Sequence, residues 1–130
     1  CEPDSRLAGE AMPPDFNQFA CGAEMPADTP TYTAPIYMLA GRLCGEDTAW
    51  ARVEVSEGRR LAFNIPYGNP NARLVAIAPD GEEVVEITPD RPCALFDVEP
   101  GTWVVAARRS SPEVEADASF DLGFDELYTY

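Results

Sequence analysis

The sequence predicts an all-β protein: a two-sheet antiparallel β-sandwich of jelly-roll or Greek-key wiring, preceded by an extended Pro-rich N-terminal strap. Three observations predict it. From residue 36 onward apolar residues alternate with polar ones in short runs, turn residues separate those runs about every ten positions, and no long window repeats apolar residues at the three-and-four spacing of a helix.

The first 35 residues contain Pro3, Pro13, Pro14, Pro26, Pro30 and Pro35, interleaved with Glu2, Asp4, Glu10, Asp15, Glu24 and Asp28. Proline lacks a backbone donor and interrupts both helices and ladders, so residues 1–35 read as an extended spacer or a strap laid on another surface. Residues 36–130 read as the folded domain.

Its candidate strands run in order: IYMLAGRL at 36–43, AWARVEVS at 49–56, RRLAFNIP at 59–66, RLVAIAP at 73–79, EVVEIT at 83–88, CALFDV at 93–98, TWVVAARR at 102–109 and ASFDLGF at 118–124. Glu57-Gly58, Asn69-Pro70-Asn71, Asp80-Gly81 and Pro100-Gly101 punctuate them, and Asp80-Gly81 carries the strongest hairpin signal. Alternation assigns Ala51, Val53, Val55, Leu61, Phe63, Ile65, Phe96, Val98, Phe120, Leu122 and Phe124 to the interior. Arg52, Glu54, Asn64, Asp97, Asp121 and Asp125 fall on the opposite faces. The run RLVAIAP is apolar on both faces, which predicts a central strand.

The chain has 23 acidic and nine basic residues for a net charge of −14, and all nine basic residues are arginine, with no lysine or histidine. A surface so acidic repels a phosphate backbone, which excludes nucleic acid, and it disfavours anionic membranes equally. Ser-His and Ser-Lys nucleophilic pairs, lysine Schiff bases and phosphate-loop lysines all fall with the missing residue types. A carboxylate pair is the remaining catalytic option, and it requires two acids converging in a cleft. The expectation is a protein that is not an enzyme and carries no cofactor. Calcium is the one metal the composition admits, at Asp121, Asp125 and Glu126, although the spacing matches no EF-hand.

Four cysteines occur, at 1, 21, 44 and 93. No CxxC is present and no histidine completes a zinc site, so disulfides are expected, with Cys21 to Cys44 favoured as a staple between strap and first strands and Cys93 left as a buried free thiol. A pairing of Cys1 with one of the others stays open. Cys1, preceded by neither Met nor a signal peptide, resembles the processed terminus of bacterial lipoproteins. That resemblance implies a diacylglycerol thioether on Cys1 and attachment to the outer membrane of a bacterium, on its periplasmic or cell-surface side, by acyl chains alone.

A second resemblance covers residues 36–125. The order LCGEDTAWARVEVSEGRRLAFNI, LVAIAPDGEEV, EPGTWVVAARR and ASFDLGF is similar to the bacterial pre-peptidase C-terminal domain family. Its carriers are Asp47 and Trp50, Gly58, Asp80 and Gly81, and Gly101 with Trp103. The resemblance implies a jelly-roll-like sandwich that is appended to secreted or surface proteins and is itself non-catalytic.

Contacts then become the expected activity. Phe16, Phe19, Trp50, Tyr67, Tyr128 and Tyr130 are the candidate partner-binding aromatics; packing of Trp50 beneath the strap is the competing role, and Phe16 and Phe19 are expected to dock on the domain or on a neighbouring subunit. The leading expectation is an accessory or structural subunit of a cell-envelope or surface assembly, its partners other proteins. A carbohydrate- or matrix-binding module, calcium-stabilised or not, is the alternative, and it requires exposed aromatics aligned on one sheet face.

Overall fold

A computed structural model of the protein describes residues 19–34, 36–56, 59–64, 72–91 and 93–125. Ten strands form: β1 Ala20–Gly22, β2 Thr31–Thr33, β3 Ile36–Arg42, β4 Thr48–Val55, β5 Arg59–Asn64, β6 Ala72–Ile77, β7 Glu83–Ile87, β8 Cys93–Val98, β9 Gly101–Arg109 and β10 Ser119–Asp125. Every run that alternates in the sequence becomes a strand, with bounds shifted by at most two residues. No helix occurs among the described residues.

The strands make two sheets. The larger has the order β1-β4-β9-β6-β7, with β2 also on β4, and the smaller has the order β3-β10-β5-β8. All pairs are antiparallel except β2 with β4. The Asp80-Gly81 hairpin forms as expected between β6 and β7, where Ala78 N–H donates to Glu82 O, Gly81 N–H donates to Ala78 O and Asp80 Oδ1 accepts from Glu82 N–H. Pro100-Gly101, by contrast, carries the chain from β8 in one sheet to β9 in the other, so it is a crossover corner and not a hairpin.

The N-terminal segment departs from a plain strap. Its second half contributes two three-residue strands to one edge of β4: β1 lies antiparallel to Thr48–Trp50, and β2 lies parallel to Arg52–Glu54. Proline prevents long ladders, but the stretches between Pro14 and Pro26 and between Pro30 and Pro35 leave room for short pairings. Between the two strands Thr29 turns the chain, donating from both its N–H and its Oγ1 to Pro26 O at 3.2 and 2.6 Å. The Cys21–Cys44 disulfide then ties β1 to the turn before β4, as the sequence led us to expect.

The core lies between the sheets, and the two inner faces differ in size. The larger sheet offers mostly small or slender residues, Ala49, Ala51, Val53, Leu74, Ala76, Val105 and Ala107, all fully buried. The smaller sheet presents Phe63, Phe120 and Phe124, and Phe19 reaches in beside Phe120 with ring centroids 4.8 Å apart. Large side chains on one sheet facing small ones on the other is the arrangement that lets two layers interdigitate. Trp103 is the one bulky exception on the larger sheet; it packs against Phe96 and Phe124, and its indole N–H donates to Glu99 O at 3.0 Å.

Candidate binding face

The outer face of the larger sheet is where chemistry collects. Register across β4, β9 and β6 aligns three rows of outward side chains: Thr48, Arg108 and Arg73; Trp50, Ala106 and Val75; Arg52, Val104 and Ile77. Ala106, small and central, makes a floor between the taller Trp50 on one side and Val75 and Ile77 on the other. The result is a groove of about 240 Å³ running along β9, with Arg108 at one end and Glu83 at the other. That volume lies under the usual range for enclosed small-molecule sites, about 300–1,000 Å³, which fits an open trough better than a deep pocket.

The walls are held in place. The Trp50 indole N–H donates to Gly22 O at 2.9 Å, which fixes the half-buried ring against β1. Trp50 thus packs on the described part of the strap, the competing role weighed for it, and its ring also lines the groove. Arg108 donates its Nε–H to Thr48 Oγ1 at 2.7 Å, and its two Nη groups make no hydrogen bond or ion pair among the described residues. Neighbouring guanidinium groups are committed: Arg73 pairs with Glu86 at 3.0 Å, and Arg109 pairs with Glu46 and donates to Val114 O. Beyond Arg108 the groove opens into a polar hollow lined by Glu46, Asp47, Arg109, Ser110 and Ser111.

Several expected site residues fall elsewhere. Phe19 is 7% exposed and packs into the core, so of the two roles expected for it the structure shows docking on the domain; Gly41, which lacks a Cβ, leaves the space its ring enters. Cys93 is neither free nor deeply buried: it is half-exposed at the start of the edge strand β8, and it is disulfide-bonded. Asp121 and Asp125 stand on β10, opposite Ala40 and Ala62. Cys1, Phe16, Tyr67, Tyr128, Tyr130 and Glu126, together with Ile65 and the turns Glu57-Gly58 and Asn69-Pro70-Asn71, lie outside the described residues.

No three His, Cys, Asp or Glu side chains gather as a metal ligand set among the described residues. On the groove face Trp50 is the one aromatic among the described residues, so no aligned aromatic row of the kind a sugar-stacking module needs is present there. Sequence reasoning placed Trp50 outward but missed Val75, Ile77 and Arg108 as its companions. The signal available was the two-sided apolarity of RLVAIAP, which read as central burial; β6 is indeed interior to its sheet, and only one of its faces meets the core.

The fold matches a known class. It is similar to the crystal structure of the pre-peptidase C-terminal domain of a collagenase from Bacillus anthracis, with a TM-score of 0.58 and 14% identity over 78% of this chain and 99% of that one. The chain thus has a pre-peptidase C-terminal-like β-sandwich fold, and at that identity the likeness speaks for the fold alone. No family model matches the sequence, and no curated protein matches it.

Proposed function

We propose that the protein is a non-catalytic, extracytoplasmic module that serves as an accessory or structural subunit of a cell-envelope or surface assembly, joining it through the groove on the outer face of the larger sheet. The observation that carries this reading is the pinned Trp50 beside an Arg108 that has no carboxylate partner among the described residues. Tryptophan and arginine are the side chains that most often dominate protein–protein contacts, and here they line one preorganised trough. The fold supports a module without catalytic machinery of its own, and a chain without His or Lys lacks the usual bases and nucleophile activators. Disulfides at Cys21–Cys44 and at Cys93 support an oxidising compartment.

A lipid anchor on Cys1, which lies outside the described residues, is a separate part of this proposal, and the contact role relies on the groove with or without an acyl chain. Intact mass of the protein from its native cells tests it: added acyl mass supports the anchor, and a mass equal to the bare chain less the disulfide protons removes it.

The contact role is tested by placing a photo-crosslinking residue at Val75, in the groove, and at Asp97, on the outside of the other sheet, in the native cells. A discrete larger adduct from Val75 and none from Asp97 is the expected result. Equal labelling from both positions, or none from either, would remove the groove as the contact face.

A further inference from the structure

We propose that the groove takes an extended peptide segment of a partner protein whose inward side chains read acid, aliphatic, base at alternate positions, the acid on Arg108 and the base on Glu83. The inference rests on the contact role proposed above and adds the chemistry of the ligand.

Register sets the length. Arg108 lies level with Arg73, whereas Glu83 lies level with Ile77 and Val104, four residues along the strands. At about 3.3 Å per residue that separation is about 13 Å. An extended peptide laid along β9 presents residues i, i+2 and i+4 to the sheet over the same distance, so its first and last inward side chains meet the two charged ends. The middle one sits over Ala106, between Trp50 and Val75, in the apolar part of the trough.

Charge chooses the occupant. The Nη pair of Arg108, unengaged among the described residues, presents a planar fork to a carboxylate, the geometry that gives the strongest charge-assisted hydrogen bonds. Glu83, exposed and lining the opposite end, favours a cation. A polyanionic sugar would satisfy Arg108 but would set its next carboxylate against Glu83, within a molecule already at −14. A neutral sugar would leave both ends unused. A peptide carrying both signs satisfies the two ends and adds little net charge against the long-range field.

The test uses the full chain labelled with ¹⁵N and three blocked pentapeptides: Glu-Thr-Leu-Thr-Lys, its Gln-Thr-Leu-Thr-Lys counterpart and Glu-Thr-Leu-Thr-Gln, with a trimer of galacturonate as the anionic sugar. Backbone amide shifts of β4, β9 and β6 should move with the first peptide, and about tenfold weaker binding is expected for each single-charge peptide, the scale of one lost charged hydrogen bond. Arg108→Gln should weaken the first peptide about tenfold and leave the Gln-led peptide within about twofold; Glu83→Gln should do the reverse pairing at the lysine end. Both substitutions are at exposed positions and should preserve the amide spectrum of the fold.

Groove shifts that are insensitive to either charge, or galacturonate binding as tightly as the peptide, would overturn the proposed ligand while leaving the groove as a contact face. Shifts absent from the groove with every probe, together with no Val75 adduct, would sink both readings.

Discussion

Phe19 shows how one residue sits at the joint between an irregular terminus and a regular core. Its ring reaches Phe120 edge-on, and a Cβ built on Gly41 would stand 2.5 Å from its Cδ1, so the pocket exists only because residue 41 has no side chain. Two substitutions probe the same contact from opposite sides. Phe19→Ala empties the pocket and should cost about 3–4 kcal/mol, the usual scale for deleting a buried aromatic. Gly41→Ala leaves every native atom in place but displaces the ring, and should cost about 1–3 kcal/mol as an overpacking change. Urea unfolding of the two variants checks both values; a Gly41→Ala protein as stable as the parent would mean that Phe19 does not occupy that space. At Gly101 the argument is different, because its φ of 140° lies in the left-handed half of conformational space and a Cβ would also approach Pro79 Cγ to 2.7 Å. Strain and clash coincide at this crossover corner, which explains why glycine follows Pro100 there.

Elements, unlike single residues, were largely legible before any coordinates. AWARVEVS alternates so cleanly that its inward set, Ala51, Val53 and Val55, could be named from spacing alone, and all three are buried. The Asp80-Gly81 turn was equally readable, since its conformation follows from two adjacent residues. What escaped were features set by partners far away in sequence. ACG at 20–22 and TYT at 31–33 are too short to show a period, and they become strands only because β4 offers an open edge. The groove was hidden for the same reason: Trp50, Ala106 and Val75 come together through register between three strands, which no local pattern encodes. The attachment of β1 is the element whose stability can be tested most directly. The Cys21–Cys44 bond closes a loop with a sequence separation of 23, worth about 3 kcal/mol in the loop-entropy description. Replacing both cysteines with serine should lower the unfolding free energy by about that amount. It should also raise amide exchange in β1 and the 44–48 turn before it does so in β9, as hydrogen exchange would record. Uniform loss of protection across both sheets would show that β1 is not a separately opening edge.

On the scale of the whole molecule, salt should act with opposite signs on folding and on the groove. A net charge of −14 on 130 residues makes the compact state repel itself, and few described ion pairs offset it: Arg73–Glu86 is about half exposed at both ends, and Glu46 in the Arg109 pair is 89% exposed. Exposed pairs of this kind contribute little, about 0–1 kcal/mol each. Raising ionic strength from 0.01 to 0.15 M shortens the screening length from about 30 Å to about 8 Å, which relaxes repulsion between distant carboxylates more than attraction between touching partners. Urea midpoints, read with sodium chloride because urea itself carries no charge, should therefore rise over that interval, by an amount on the order of 1 kcal/mol in unfolding free energy. The charged peptide should respond in the other direction, because its attraction to Arg108 and Glu83 is local and partly exposed to solvent, so its affinity should fall as salt rises. A midpoint that drops with salt would mean that specific ion pairs, and not self-repulsion, govern the stability of this acidic sandwich, and the dominance assigned to the −14 charge would have to be abandoned.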